Sequence, residues 1–148
     1  MIFIENESGR TFPGGLLENA AAAVLDLSGV PTGNLTIALV DEARIQALNR
    51  DFLGHDAPTD VLSFPADETD PETNCRYLGD VVISLARAAE QAAERGHAIE
   101  AEMQLLVVHG VLHLLGHDHA GAGEKERMWA AQAEVLERLG VSPEIVHE

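Results

Sequence analysis

Ile99-Glu-Ala-Glu-Met-Gln-Leu-Leu-Val-Val-His109-Gly-Val-Leu-His113-Leu-Leu-Gly116-His-Asp-His119 is the stretch on which the reading of the chain turns. From Ile99 to Leu115 apolar residues fall on nearly every side of a 3.6-residue repeat, and a helix apolar on most faces is a buried one. His109 and His113 interrupt it. Four residues turn a helix by about 400°, so the two imidazoles project about 40° apart and roughly 6 Å along the axis. That spacing lets both rings reach one cation at about 2.0–2.1 Å. Gly116 permits a backbone angle that other residues resist, so the helix can stop there and the chain can double back, bringing His119 toward the same point.

One histidine in an apolar helix is commonly a satisfied core residue, but three with this glycine are hard to explain by packing. Each unsatisfied buried imidazole would cost about 1–3 kcal/mol. A shared metal removes the difficulty. Three nitrogen ligands on one side of an ion leave a position open for water or substrate, which separates catalytic zinc from a closed structural site. Zinc, one ion per chain, is the first choice, and nickel or copper suits the same ligands. The zinc-protease pattern H-E-x-x-H needs a glutamate beside the first histidine, and here that place is Gly110, so peptide hydrolysis by that route is unsupported. Such a cation lowers the pKa of bound water from about 15.7 to about 7 and can therefore supply a nucleophile. Asp118 can orient a ligand imidazole or form an Asx-turn. His117 is expected to be exposed, and His55, His97 and His147 lie outside the cluster. Cys75 reads as a bystander thiol rather than a fourth ligand.

Outward from this helix, Met1 to Glu5 reads as a short strand. A helix opened by Pro13 carries Leu16, Leu17, Ala20, Ala21, Val24 and Leu25 at helical spacing and ends at Ser28-Gly29. Asn34 to Val40 is a strand, after which Asp41 can cap a helix bearing Ile45 and Leu48. Asp60 to Phe64 and Leu78 to Ser84 read as two more strands. Between them residues 65–77, with Pro65, Asp67, Glu68, Asp70, Pro71 and Glu72, are expected to form a mobile acidic loop; a functional reading makes it a flap or a cation-attracting rim, but charged connecting segments are usually just solvated. Ser84 to Arg95 is an Ala-rich helix broken by Gly96-His97. A last helix, about Gly123 to Leu139, keeps Met128, Ala131, Val135 and Leu136 inward and stops at Gly140 and Pro143.

The chain has 148 residues, 46% of them apolar and 23% charged, which is enough for one domain over residues 1–148 with its own core. Nine basic against 25 acidic residues give a formal charge of −16. That charge opposes generic polyanion binding, so any nucleic-acid contact needs a local basic cleft or a bound cation. Six aromatic residues are too few for a dedicated base-stacking module. The single cysteine closes no intrachain disulfide, and neither a secretory leader nor an apolar run of about 18 residues is apparent. A cytoplasmic protein with no membrane and no DNA partner is expected.

The sequence resembles the YbeY family of metal-dependent endoribonucleases, which act in bacterial ribosomal RNA maturation. The resemblance is carried by Leu48-Asn49, by Pro58-Thr59-Asp60-Val61-Leu62-Ser63-Phe64-Pro65, by Leu78-Gly79-Asp80-Val81-Val82-Ile83, and most specifically by the His109-to-His119 block. It implies an α+β fold, a small mixed four-stranded sheet packed with about five helices including a zincin-like metal helix. It further implies a zinc held by His109, His113 and His119, a single-stranded RNA substrate, and a role in small-subunit ribosomal RNA maturation and ribosome quality control. Ribosomal proteins or the small ribosomal subunit would be partners.

The chain departs from the family pattern at Leu53, where an arginine usually follows the aromatic residue, here Phe52. That arginine has been taken to help handle substrate, and a leucine can neither bind phosphate nor stabilise developing charge. Arg50 shares a face with Leu53 if its helix continues that far, and is the candidate to take over part of the anion contact; solvation at the surface is the competing reading. Asp118 and Arg50 are thus the candidates for catalytic residues beyond the metal ligands. Two other functions fit the residues: a metal-dependent hydrolase of a small neutral or cationic molecule, which the acidic composition suits, and a non-catalytic ribosome-assembly factor stapled by zinc. RNA cleavage lost on His113→Ala separates the first of these from a nuclease. Unfolding by a chelator, with four protein ligands on the metal, would mark the second.

Overall fold

The computed structural model describes residues 1–117 and 121–142. In chain order the elements are β1 (Ile2–Asn6), α1 (Leu16–Leu27), β2 (Asn34–Val40), α2 (Glu42–Leu53), β3 (Val61–Thr69), β4 (Arg76–Ser84), α3 (Leu85–Arg95), α4 (Ile99–Leu114) and α5 (Ala122–Arg138). The strands form one sheet in the order β1-β2-β4-β3, with β1, β2 and β4 parallel and β3 antiparallel to β4. This is the α+β architecture with a mixed four-stranded sheet that the resemblance implied. Parallel neighbours cannot be joined by a tight turn, so α1 makes the crossover from β1 to β2.

Side chains alternate across the strands and divide the core in two. Leu35, Ile37 and Leu39 of β2 and Val81 and Ile83 of β4 face α1, α4 and α5 in the main cluster. Ala38, Val40 and Val82 point the other way and meet Ile45 and Leu48 of α2, with Leu62 and Phe64 of β3. The apolar circumference of α4 has the expected consequence: Met103, Leu105 to Val108, Val111, Leu112 and Leu114 are all buried.

At Gly110 α4 lies close against the sheet. A Cβ built there would lie 2.5 Å from Val81 Cγ1. The position where a zinc protease would carry glutamate is therefore sealed against β4. The contact is tied by Ser63 Oγ of β3, which donates to the Gly110 carbonyl at 2.9 Å.

Local signals set the helix ends. Asp41 accepts from the Arg44 N–H at 2.7 Å and caps α2, which ends at Gly54 in the left-handed region. Ser84 accepts from the Arg87 N–H at 3.3 Å and caps α3. Beyond α4, Gly116 takes φ +97°, the reversal anticipated from its sequence position.

The expected acidic loop is where the structure differs most from the reading. β3 continues to Thr69 and β4 begins at Arg76, with Glu68 paired to Tyr77 and Thr69 to Arg76 beyond an irregularity at Pro65–Glu68. The connection shrinks to residues 70–75, where Asp70 N donates to the Cys75 carbonyl at 2.9 Å and Asn74 N to the Asp70 carbonyl at 2.8 Å. β3 is the edge of the sheet, and an edge strand tolerates the proline and acidic residues that read as breakers in a central one. No helix among the described residues is long and apolar enough to cross a membrane.

Candidate metal centre

His109 and His113 lie one turn apart on α4, both half-buried, with their ring centroids 4.7 Å apart. Their Nε2 atoms converge to 3.1 Å. Two nitrogens bound at about 2.0–2.1 Å to a common ion stand at about this separation, so the pair fits a shared cation. Neutral imidazoles suit zinc, nickel or copper.

The tautomer of His109 is fixed from α5. Gln132 Oε1 can only accept, so the 2.6 Å contact with His109 Nδ1 places a proton on Nδ1 and leaves the lone pair on Nε2. Gln132 is 1% exposed. Trp129 packs at 54° to the His109 ring with centroids 6.0 Å apart, and Lys125 Nζ lies 6.0 Å from the Trp129 ring centroid. One face of α5 thus backs the first histidine.

In front of the pair is a cleft of about 370 Å³ walled by β3 and the segment before it, through Thr59, Asp60, Val61, Leu62, Ser63 and Pro65. Asp60 is held at its mouth by three bonds. Its Oδ1 accepts from the Val61 N–H at 2.8 Å and from Thr59 Oγ1 at 3.4 Å, while its carbonyl accepts from Ser84 N at 2.9 Å. Thr59 to Ser63 and Pro65 of the family-like block therefore form the wall facing the histidines, a role that the sequence alone did not assign. Gln132 carries no such signal in the sequence, because its partner lies 23 residues away and no spacing rule connects α5 to α4.

Asp118, His119 and His147 lie outside the described residues, so the described chain contributes two of the three expected ligands. Among the described residues no group of three or more His, Cys, Asp or Glu side chains could hold a metal. His117 was expected at the surface but is half-buried, because the chain folds back after Gly116 and the His117 N–H is held by the Leu112 carbonyl at 3.1 Å. His97 bonds Glu102 at 2.6 Å near the start of α4, and His55 is exposed. Neither lines the cleft.

α2 does reach Leu53, yet Arg50 is not among the cleft residues. Its Nε donates to Asp51 Oδ1 at 2.9 Å on an exposed surface, and that bond, followed by the charge of Asp51, raises the guanidinium pKa. Leu53 and Phe52 are also exposed, with the Phe52 ring edge-on to Phe64 at 5.7 Å. On the sheet face opposite α4, Tyr77 OH donates to Asp80 Oδ1 and lies 2.7 Å from Thr36 Oγ1. These three line a separate groove of about 480 Å³ with Glu5, Glu7 and Phe52.

Fold and site together define a small α+β protein whose most buried helix presents two converging imidazoles to a cleft at the sheet edge. The family model for endoribonuclease YbeY matches residues 4–140. Endoribonuclease YbeY of Carboxydothermus hydrogenoformans is 49% identical over 127 residues, covering 85% of each chain. That of Pelotomaculum thermopropionicum is 47% identical over 132 residues, covering 86% of this chain and 87% of its own. The Chloroflexus aurantiacus protein is 44% identical over 150 residues and covers 97% of both. Among solved structures, TM1509 from Thermotoga maritima superposes with a TM-score of 0.60 at 30% identity, covering 95% of this chain and 92% of its own. The chain belongs to the endoribonuclease YbeY family.

Proposed function

We propose that this protein is a zinc-dependent endoribonuclease specific for single strands, acting in the cytoplasm on ribosomal RNA during small-subunit maturation and ribosome quality control. The observation that carries the reading is the 3.1 Å convergence of His109 Nε2 and His113 Nε2 on an open cleft, in a chain whose relatives are named endoribonucleases. His119 completes the ligand set in this proposal, with one zinc per chain. When bound, the ion supplies Lewis acidity toward a phosphoryl oxygen and an activated water.

The chain's own residues supply the setting. His109 and His113 hold the charge that an acidic protein needs at the floor of its cleft, since a formal −16 otherwise repels phosphate. The wall from Thr59 to Pro65 offers an edge strand along which a splayed single strand can lie with its bases unstacked, the form in which RNA sequence is usually read. Arg50 remains the proposed source of a peripheral phosphate contact, after exchanging Asp51 for the anion. Asp118 is proposed to orient a ligand imidazole. Ribosomal proteins or the small subunit would present the RNA.

The test uses purified protein with its metal content measured, on matched single- and double-stranded RNA. Expected are about one zinc per chain, cleavage of the single strand only, and loss of at least ~100-fold in rate for His113→Ala, in keeping with a step that depends on an activated water. Intact RNA with zinc-loaded wild type would overturn the nuclease assignment and favour a small-molecule hydrolase or an assembly factor. Arg50→Ala that changes neither cleavage nor its salt dependence would remove Arg50 from the account.

A further inference from the structure

Gln132 is the most deeply buried polar side chain on α5, 1% exposed and flanked on its face by Met128, Val135 and Leu136. A buried amide among apolar neighbours is unfavourable unless its polar atoms are used. Its Oε1 is used, by the His109 Nδ1–H at 2.6 Å. Its Nε2 has no hydrogen-bond partner among the described residues. Satisfying the interior does not account for a glutamine here, since a methionine of similar shape would bury well at this position without leaving an amide N–H to be matched.

The bond to His109 does account for it. Neutral histidine carries its proton on one nitrogen only, and the partner of one ring atom decides the state of the other. With Gln132 Oε1 accepting from Nδ1, His109 must present a bare Nε2 to the point that it shares with His113 Nε2, 3.1 Å away. The same bond favours one orientation of the ring about the Cβ–Cγ axis, and the Trp129 ring packs beside it with centroids 6.0 Å apart.

We propose that Gln132 is a positioning residue of the metal centre, holding His109 as the Nδ1–H tautomer with Nε2 aimed at the cation. The proposal rests on the metal reading of the histidine pair given above. An amide carries no charge, so it fixes ring and tautomer without strengthening His109 as a base the way a carboxylate in its place would. Replacing it by an isosteric apolar residue should weaken zinc binding about 10- to 100-fold, the usual consequence of losing such a partner. Restoring an acceptor should restore affinity.

The experiment measures zinc affinity by chelator competition for wild type, Gln132→Met and Gln132→Glu. Nitrogen-15 NMR of the metal-free wild type at mildly alkaline pH reads the His109 tautomer. The expected results are Nδ1–H in the wild type, the weakening above for Gln132→Met with its circular dichroism unchanged, and affinity at or above wild type for Gln132→Glu. An Nε2–H tautomer in the metal-free wild type overturns the proposal, and so does a folded Gln132→Met that binds zinc within twofold of wild type. If Gln132→Met does not fold, the tautomer and Gln132→Glu decide, and an affinity for Gln132→Glu more than tenfold below wild type counts against it. A wild type that takes up no zinc while showing Nδ1–H overturns the metal reading itself, a result distinct from equal zinc binding by wild type and Gln132→Met, which sinks this proposal alone.

Discussion

At the scale of single residues, the position beside His109 shows how packing and chemistry constrain each other. Gly110 lets α4 lie against β4, and a methyl group there would stand 2.5 Å from Val81 Cγ1 and 3.2 Å from Val81 Cγ2. Gly110→Ala gains about 1 kcal/mol of helix propensity but overpacks a rigid β-branched neighbour, which costs roughly 1–3 kcal/mol. Thermal denaturation should show net destabilisation that Val81→Ala relieves; an equally stable Gly110→Ala would mean that the helix can lift off the sheet freely. The histidine spacing was legible in the sequence because i,i+4 geometry is local. The Gln132 contact was not, because it depends on how α5 docks on α4.

At the scale of elements, β3 and β4 carry the main departure from the sequence-based expectation. Proline and acidic residues are poor strand formers in isolation, but Glu68 and Thr69 lie on an edge strand paired to Tyr77 and Arg76, where one side of the backbone meets solvent. Hydrogen exchange should therefore protect amides of β4 from Tyr77 onward; exchange at loop rates up to Leu78 would restore the loop reading. By contrast Asn34–Val40 and the apolar surround of α4 were read correctly, since each rests on a run of local apolar pattern long enough to leave one solution. On the same sheet, burial first and then the bond to Asp80 raise the Tyr77 pKa above its ordinary value of 10.0. The native state thus favours the neutral phenol. Its contribution is fully present below about pH 10 and is lost as pH rises through the higher folded value. Comparing wild type with Tyr77→Phe by denaturant titration should give a stability difference that is constant near neutrality and shrinks only in alkali. A difference that grows above pH 10 would contradict the assignment.

At the scale of the whole molecule, the proposed function reconciles the formal charge of −16 with an RNA substrate through a cation in the cleft and a ribosomal partner that presents the RNA. Repulsion between protein and RNA acts over the Debye length, about 30 Å at 0.01 M salt and about 8 Å at 0.15 M, whereas attraction to an ion in the cleft acts at contact. Raising salt across that range should therefore increase kcat/KM on a short single strand, opposite to the steep fall expected of a basic nucleic-acid binder. A steep fall would point to an unrecognised basic track. Family membership was legible in four blocks of sequence, but the path of an RNA along the molecule was not, because surface field and cleft shape exist only after folding. In the proposed function, RNA cleavage requires one ion held by His109 and His113. Titrating zinc into metal-stripped protein while following single-stranded RNA cleavage tests this most directly. The rate should climb to a plateau at one zinc per chain in the wild type and stay at background in His113→Ala. Cleavage by the stripped protein, or by His113→Ala at the wild-type rate, would contradict it.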